Sequence, residues 1–219
     1  MDFSPESHTP APRHPTRTRP YRSRAERRRQ IVDATIAIIA EQGLAAWKTA
    51  ELARRVGVSE PTLFRHFANK EEILSAAVQR EAEAARELVR NYHGAGDAWS
   101  RAEGLLLMIV DYFAATGGGP IVILTGQVIR VSPEIRQDIL ATVQLVRDTF
   151  RSLFSEAVHE AGNPPGVDPD NLADLAIAVI QSSALRYVMS QRAYPLRERA
   201  VSMLTVLRLA LGGGDGGSP

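Results

Sequence analysis

Cysteine is absent from the 219 residues. That excludes disulfides, thiolate metal sites and cysteine nucleophiles, and it fits a reducing compartment. Aromatics are sparse, at 6%, so any core must be built mainly from aliphatic side chains. The five histidines stand at positions 8, 14, 66, 93 and 159, without the spacing of metal ligands. Gly117-Gly118-Gly119-Pro120 is not followed by Gly-Lys-Ser/Thr, so it is no phosphate loop. No Ser-His-Asp set can be placed. These gaps point away from an enzyme, and no cofactor or metal is expected. The longest apolar run, near Gly104 to Val110, is too short to span a bilayer. The N-terminus is polar and Arg/Pro-rich, with no apolar h-region. The expected location is the cytoplasm, with no membrane partner.

Net charge is only +1, but it is split unevenly along the chain. Residues 1–70 hold 13 Lys/Arg against 7 Asp/Glu, and the remainder holds 13 against 18. One end suits a polyanion and the rest does not. Part of the excess lies in residues 1–22, which carry Arg13, Arg17, Arg19 and Arg22 among five prolines. That segment reads as a disordered basic arm.

From Ser23 onward the pattern is helical, and the expected fold class is all-α with about nine helices. Ser23 and Glu26 form an S-x-x-E capping box, apolar residues follow at helical spacing, and Gly43 is a natural stop. The first helix is expected over 24–42. A second spans Thr49 to Val56 and ends at Gly57. Ser59 caps a third that runs to about Phe67. Asn69 with Glu72 makes another capping box, opening a fourth helix from Lys70 to about Asn91. Asp97 caps a fifth, over 98–116, and Pro120 opens a sixth. The stretch "IVILTGQVI", residues 121–129, has strand propensity but no partner strand. Ser132-Pro133 and Asp168-Pro169 start helices 7 and 8, which run to about Ala161 and Gln191. Pro195 starts helix 9, and residues 212–219 read as a disordered tail.

Residues 49–67 have the spacing of a helix-turn-helix. Ala53 allows close crossing, and Gly57 supplies a turn position that tolerates positive φ. On a helical wheel Leu63 and Phe67 share the inward face of the third helix, with Phe64 at its margin. Pro61, Thr62 and Arg65 lie opposite, and His66 sits at the edge. Such a face fits the major groove, where Arg reaches guanine O6/N7 and Thr reaches phosphate or a thymine methyl. Thr49 and Lys70 bracket it as phosphate contacts. The candidate DNA-binding set is Thr49, Ala50, Ser59, Glu60, Pro61, Thr62, Phe64, Arg65, His66 and Lys70.

The text "RRRQIVDATIAIIAEQGLAAWKTAELARRVGVSEPTLFRHFANKEEIL" resembles the N-terminal domain of the tetracycline-repressor (TetR) family of regulators. The matching positions are Gly43, Thr49, Leu52-Ala53, Gly57-Val58-Ser59, Thr62-Leu63-Phe64, His66-Phe67 and Lys70-Glu71. One departure is Phe64, where the family usually has a Tyr that donates its hydroxyl to a phosphate. The resemblance allows the basic arm of residues 1–22 to enter a neighbouring minor groove.

The resemblance implies a three-helix DNA-binding domain over 23–69 and a ligand-binding and dimerisation domain over 70–211. It implies a homodimer joined through helices 8 and 9, a double-stranded operator of pseudopalindromic form, and release by a small molecule that shifts helix 4. The low charge of the C-terminal helices suggests a mainly apolar ligand. Candidate lining residues are Met108, Tyr112, Gln127, Phe150 and Gln181, with a core role more natural for Phe150. The alternative is a ligand-independent dimeric architectural DNA-binding protein.

Overall fold

The structure, a computed structural model, describes residues 23–116, 133–210 and Gly212. The eight α-helices among them are α1 (Arg24–Gln42), α2 (Thr49–Val56), α3 (Glu60–Leu63), α4 (Lys70–Arg90), α5 (Ala98–Ala115), α6 (Pro133–Glu160), α7 (Pro169–Met189) and α8 (Leu196–Ala210). A 3₁₀ turn, Leu44–Ala46, joins α1 to α2. No strand occurs among the described residues. The expected sixth helix, with the "IVILTGQVI" stretch, falls outside them, as do the arm and nearly all of the tail. Expected helices 7, 8 and 9 are α6, α7 and α8.

Local chemistry accounts for most boundaries. Ser23 Oγ accepts from the Glu26 amide, and the Glu26 carboxylate accepts from the Ser23 amide, so both arms of the capping box form. Gly57 follows α2 in the left-handed region, with φ 72° and ψ 43°, where a Cβ would be strained. Asp97 Oδ1 accepts from the Ser100 amide at the start of α5.

Three local expectations change in detail. The third helix was expected to reach Phe67, but α3 ends at Leu63 and turns continue the chain. Arg65 and His66 donate to Thr62 and Leu63, three residues back, which tightens the coil as Phe67 swings into the core. Ser59 sits at the N-cap but makes no side-chain cap bond. Pro61 has no N–H, and the Thr62 amide is taken by the Ser59 carbonyl at 2.9 Å. The Ser59 hydroxyl pairs instead with that of Thr62, at 2.8 Å. At α4, Asn69 accepts from the Glu72 amide, while the Glu72 carboxylate reaches one residue further back, to the Ala68 amide.

Two apolar cores form. The first gathers Ile31, Ile38 and Ile39 of α1, Trp47, Leu52 and Val56 around α2, Leu63 and Phe67, and Ile73, Leu74, Ala77 and Val78 of α4. The second gathers Val89, Leu105, Leu106, Val110 and Phe113 with Phe150 and Phe154 of α6, Leu172, Ala176 and Ile180 of α7, and Leu196, Ala200 and Leu204 of α8. Each fully buried aliphatic or aromatic side chain contributes about 1.5–3 kcal/mol. Helix α6 serves both cores. Phe150, Leu153, Phe154 and Ala157 of its apolar stripe sit in the second core, whereas Ile135 and Ile139 sit in the first. A helical stripe shows that a face is buried, not against what.

Helix α7 alters one composition-based expectation. Among the described residues it is the one helix long and apolar enough to cross a membrane by length and composition. One side packs into the second core through Leu172, Ala173, Ala176, Ile180 and Ala184. The other leaves Leu175, Leu185 and Met189 exposed.

Candidate nucleic-acid interface and ligand cavity

The reading face rests on a rigid back. Leu63 is 0% and Phe67 2% exposed, so α3 is held to the first core by its inward side. Pro61, Phe64 and Arg65 are exposed and Thr62 is half-buried. Phe64 shows 42% of its surface to solvent, so its ring does not pack into the core. Arg65 has no side-chain partner among the described residues. Ala50 and Ser59 are exposed, and Glu60 and Thr49 are half-buried. The Thr49 hydroxyl donates to the Glu60 carboxylate at 2.6 Å, tying the start of α2 to the start of α3. Lys70 is exposed, and its ammonium lies 4.9 Å from the Trp47 ring centroid, a cation–π contact that directs it along the α4 N-terminus.

His66 closes the face. Its Nδ1 is buried without a hydrogen-bond partner among the described residues. Desolvation, then the charges of Arg24, Arg27 and Arg28, push the imidazole below its ordinary value. Those three guanidinium groups, all from α1, extend the basic surface beside α3. Arg28 does more than add charge. It donates to the His66 carbonyl, pairs with Glu72 at 3.1 Å and stacks 3.9 Å from the Phe67 ring centroid. Within the run Arg27-Arg28-Arg29, nothing in the sequence distinguishes it.

A narrow apolar cavity of about 80 Å³ lies between four helices. Its walls are Ala85, Leu88 and Val89 of α4, Ile109, Tyr112 and Phe113 of α5, Thr142, Val143 and Val146 of α6, and Ile177, Ile180 and Gln181 of α7. Tyr112 and Gln181 are therefore at the cavity. Met108 packs on the second core outside the lining, and Phe150, 0% exposed, is a core residue stacked on Phe154 at 5.9 Å. Phe150 shares the α6 stripe of Val146 but lies one turn beyond the gap, in the second core, and Met108 lies outside the lining. Gln127 falls outside the described residues.

Two of the three polar side chains at the cavity, Tyr112 and Thr142, are already engaged. The Tyr112 hydroxyl donates to Glu81 at 3.1 Å, and Glu81 is only 6% exposed. Burial pushes the Glu81 carboxyl above the usual carboxylate range, and burial with the neighbouring Glu81 pushes the Tyr112 phenol up. Thr142 accepts from Arg86 at 3.1 Å and donates to the Asp138 carbonyl. Sequence reading did not single out Glu81, since an acidic residue on a long helix usually faces water.

A short exposed helix on a buried support, entered through a left-handed glycine turn, defines a helix-turn-helix DNA-binding regulator. Residues 31–77 match the profile of the bacterial regulatory proteins of the tetR family. The chain thus carries a DNA-binding domain of the TetR family of transcriptional regulators over residues 31–77. It is similar to the fatty acid metabolism regulator protein of Bacillus subtilis, 24% identical over 180 residues, covering 81% of this chain and 92% of that protein. It is also similar to the nucleoid occlusion factor SlmA of Aliivibrio fischeri, 29% identical over 171 residues, covering 77% and 87%. Its fold matches a crystal structure of a TetR transcriptional regulator from Chloroflexus aurantiacus, with TM-score 0.70 and 24% identity, covering 84% of this chain and 96% of that one. FadR of Bacillus subtilis in complex with stearoyl-CoA matches with TM-score 0.62 and 20% identity, covering 82% and 96%. Regulators of this family bind operator DNA, dimerise and bind small-molecule effectors.

Proposed function

We propose that the protein is a repressor that holds a pseudopalindromic operator as a homodimer and leaves it when a small, mainly apolar molecule enters the cavity. The observation that carries this reading is the pairing of an unpartnered, outward Arg65 with a locked Leu63–Phe67 back. In this reading Pro61, Thr62 and Arg65 enter the major groove, and Ala50, Ser59, Glu60 and His66 border it. Thr49 and Lys70 take phosphates, and Thr49 does so while its hydroxyl orients Glu60. Phe64 offers only ring contact.

The dimer runs through α7 and α8. Leu175, Leu185 and Met189 on α7 and Val206 and Leu209 on α8 are large, apolar and exposed. A patch of this kind marks an interface. In this reading the DNA-binding head spans 23–69 and the ligand and dimer body 70–211, with α4 and α6 lending Ile73, Leu74, Ile135 and Ile139 to the core of the head.

The cavity favours an apolar ligand because its walls are mainly apolar and two of its three polar side chains, Tyr112 and Thr142, already have partners. A hydrocarbon or alkyl chain fits this chemistry, and the stearoyl-CoA in complex with the Bacillus FadR carries an acyl chain of that kind. Release follows from linkage: the ligand weakens operator binding only as far as it prefers the state that cannot bind DNA. The SlmA likeness favours a second reading, a ligand-independent DNA-binding dimer.

Selection of bound DNA from a random pool, followed by a thermal-shift screen of apolar compounds, separates the two. Compounds that raise the melting temperature should lower affinity for the selected site. Stabilising compounds that leave operator affinity untouched would favour the second reading.

A further inference from the structure

We propose that α6 is a lever in its own right, with Ile135 and Ile139 as positioning residues that carry the state of the cavity into the DNA-binding head. This rests on the ligand-release reading above. The covalent link between the two halves is α4, but α6 reaches the head without being part of it. Its 28 residues span about 42 Å. One stripe along it meets three environments in order. Ile135 and Ile139, 1% and 4% exposed, are seated in the first core. Thr142, Val143 and Val146 line the cavity. Phe150, Phe154 and Ala157 are fixed in the second core.

The seat and the cavity wall are therefore one turn apart on a single rigid element. A side chain or ligand atom that displaces Val143 or Val146 must also displace Ile139, because a helix does not stretch between neighbouring turns. Ile139 lies in the core that contains Ile31, Ile73 and Phe67, and Phe67 is the back of the reading turn. Close-packed cores respond to such a push by moving as units rather than by absorbing it. At the level of the cavity α6 is also bonded to α4, through Arg86 and Thr142. A ligand between the two helices thus acts on both routes to the head.

The absence of cysteine permits a direct test with the full chain. Ile177→Cys places one thiol in the cavity wall opposite α6, and hexyl methanethiosulfonate attaches an alkyl chain there as a tethered occupant. Operator affinity is measured with and without the label in four backgrounds: α6 unaltered, Leu140→Gly with Ala141→Gly, Leu140→Ala, and Ile139→Val. Leu140 and Ala141 are exposed and lie between the seat and the cavity, so the glycine pair softens the rod without touching either end. Ile139→Val, which shortens the seat by one methylene, is the variant with least effect on folding.

The label should weaken operator binding by about tenfold or more with unaltered α6 and with Leu140→Ala. With the glycine pair the loss should fall below about threefold, and Ile139→Val should fall between. Equal losses in all backgrounds would overturn the α6 lever and leave α4 as the sole route. No loss in any background would overturn both the lever and the ligand-release reading.

Discussion

The Arg28 guanidinium lies 3.9 Å from the centroid of the Phe67 ring, while the same group pairs with Glu72 and donates to the His66 carbonyl. One side chain of α1 thus holds the end of the reading turn and the start of α4 together. Arg28→Lys keeps the charge but loses the planar fork and the stacking. It should weaken operator binding by about 1–2 kcal/mol, and Arg28→Ala by more, as read by fluorescence anisotropy with a melting curve as control.

Glu72 gives this contact a pH signature. Its carboxyl is held below the usual range first by the Ala68 amide and then by Arg28. A carboxyl with a lowered folded-state pKa stabilises the fold above its unfolded value and loses that effect as pH falls through the folded value. Glu72→Gln should therefore melt below the parent at neutral pH, with the gap closing in acid below the ordinary glutamate range. A gap that widens on acidification would contradict this.

Phe64 is exposed beside Arg65, at the position where the family usually carries a phosphate-binding Tyr. Phe64→Tyr should add a hydroxyl donor to a phosphate and tighten binding to all sequences by about 1 kcal/mol. Tightening confined to one operator base would mean that the hydroxyl reads a base edge instead.

Glu81 is buried against Tyr112, and desolvation raises its carboxyl above the usual range. A raised folded-state pKa makes the acid most favourable to the fold below its unfolded value, with that contribution lost as pH rises through the folded value. Glu81→Gln keeps an acceptor for the Tyr112 hydroxyl without the charge. It should raise stability by about 1 kcal/mol at neutral to mildly alkaline pH. The advantage should shrink toward acid, as followed by thermal melts across pH.

The exposed apolar side chains of α7 and α8 make a prediction about assembly. Leu185→Glu or Val206→Glu should turn a dimer into a monomer in sedimentation, with operator binding reduced because two heads no longer act together. Leu140→Glu, at an exposed position of α6 outside the α7–α8 patch, should leave the dimer intact.

The head was legible because its signals are local. The Ser23–Glu26 box, the left-handed Gly57 and the inward Leu63–Phe67 pair each depend on residues a few positions apart. Contacts between distant segments were less legible. Ile135 and Phe150 belong to one continuous stripe, and only packing assigns the first to the head and the second to the body. Gln181 could be picked out as a polar residue on an apolar helix. Glu81 could not, since its burial depends on where Tyr112 of another helix arrives. Arg28 differs from its neighbours in the arginine run only by the ring and carboxylate it meets.

The most direct test of the central claim is the affinity of the parent chain and of Arg65→Ala for a selected operator and its single-base variants, across salt concentrations. The parent should prefer a two-fold related site with half-sites about one helical turn apart. Arg65→Ala should lose about 1–3 kcal/mol of discrimination at one position per half-site, with little change in salt slope. A parent chain that binds every sequence alike, or an Arg65→Ala loss spread evenly over all of them, would contradict the assignment of α3 as the reading helix.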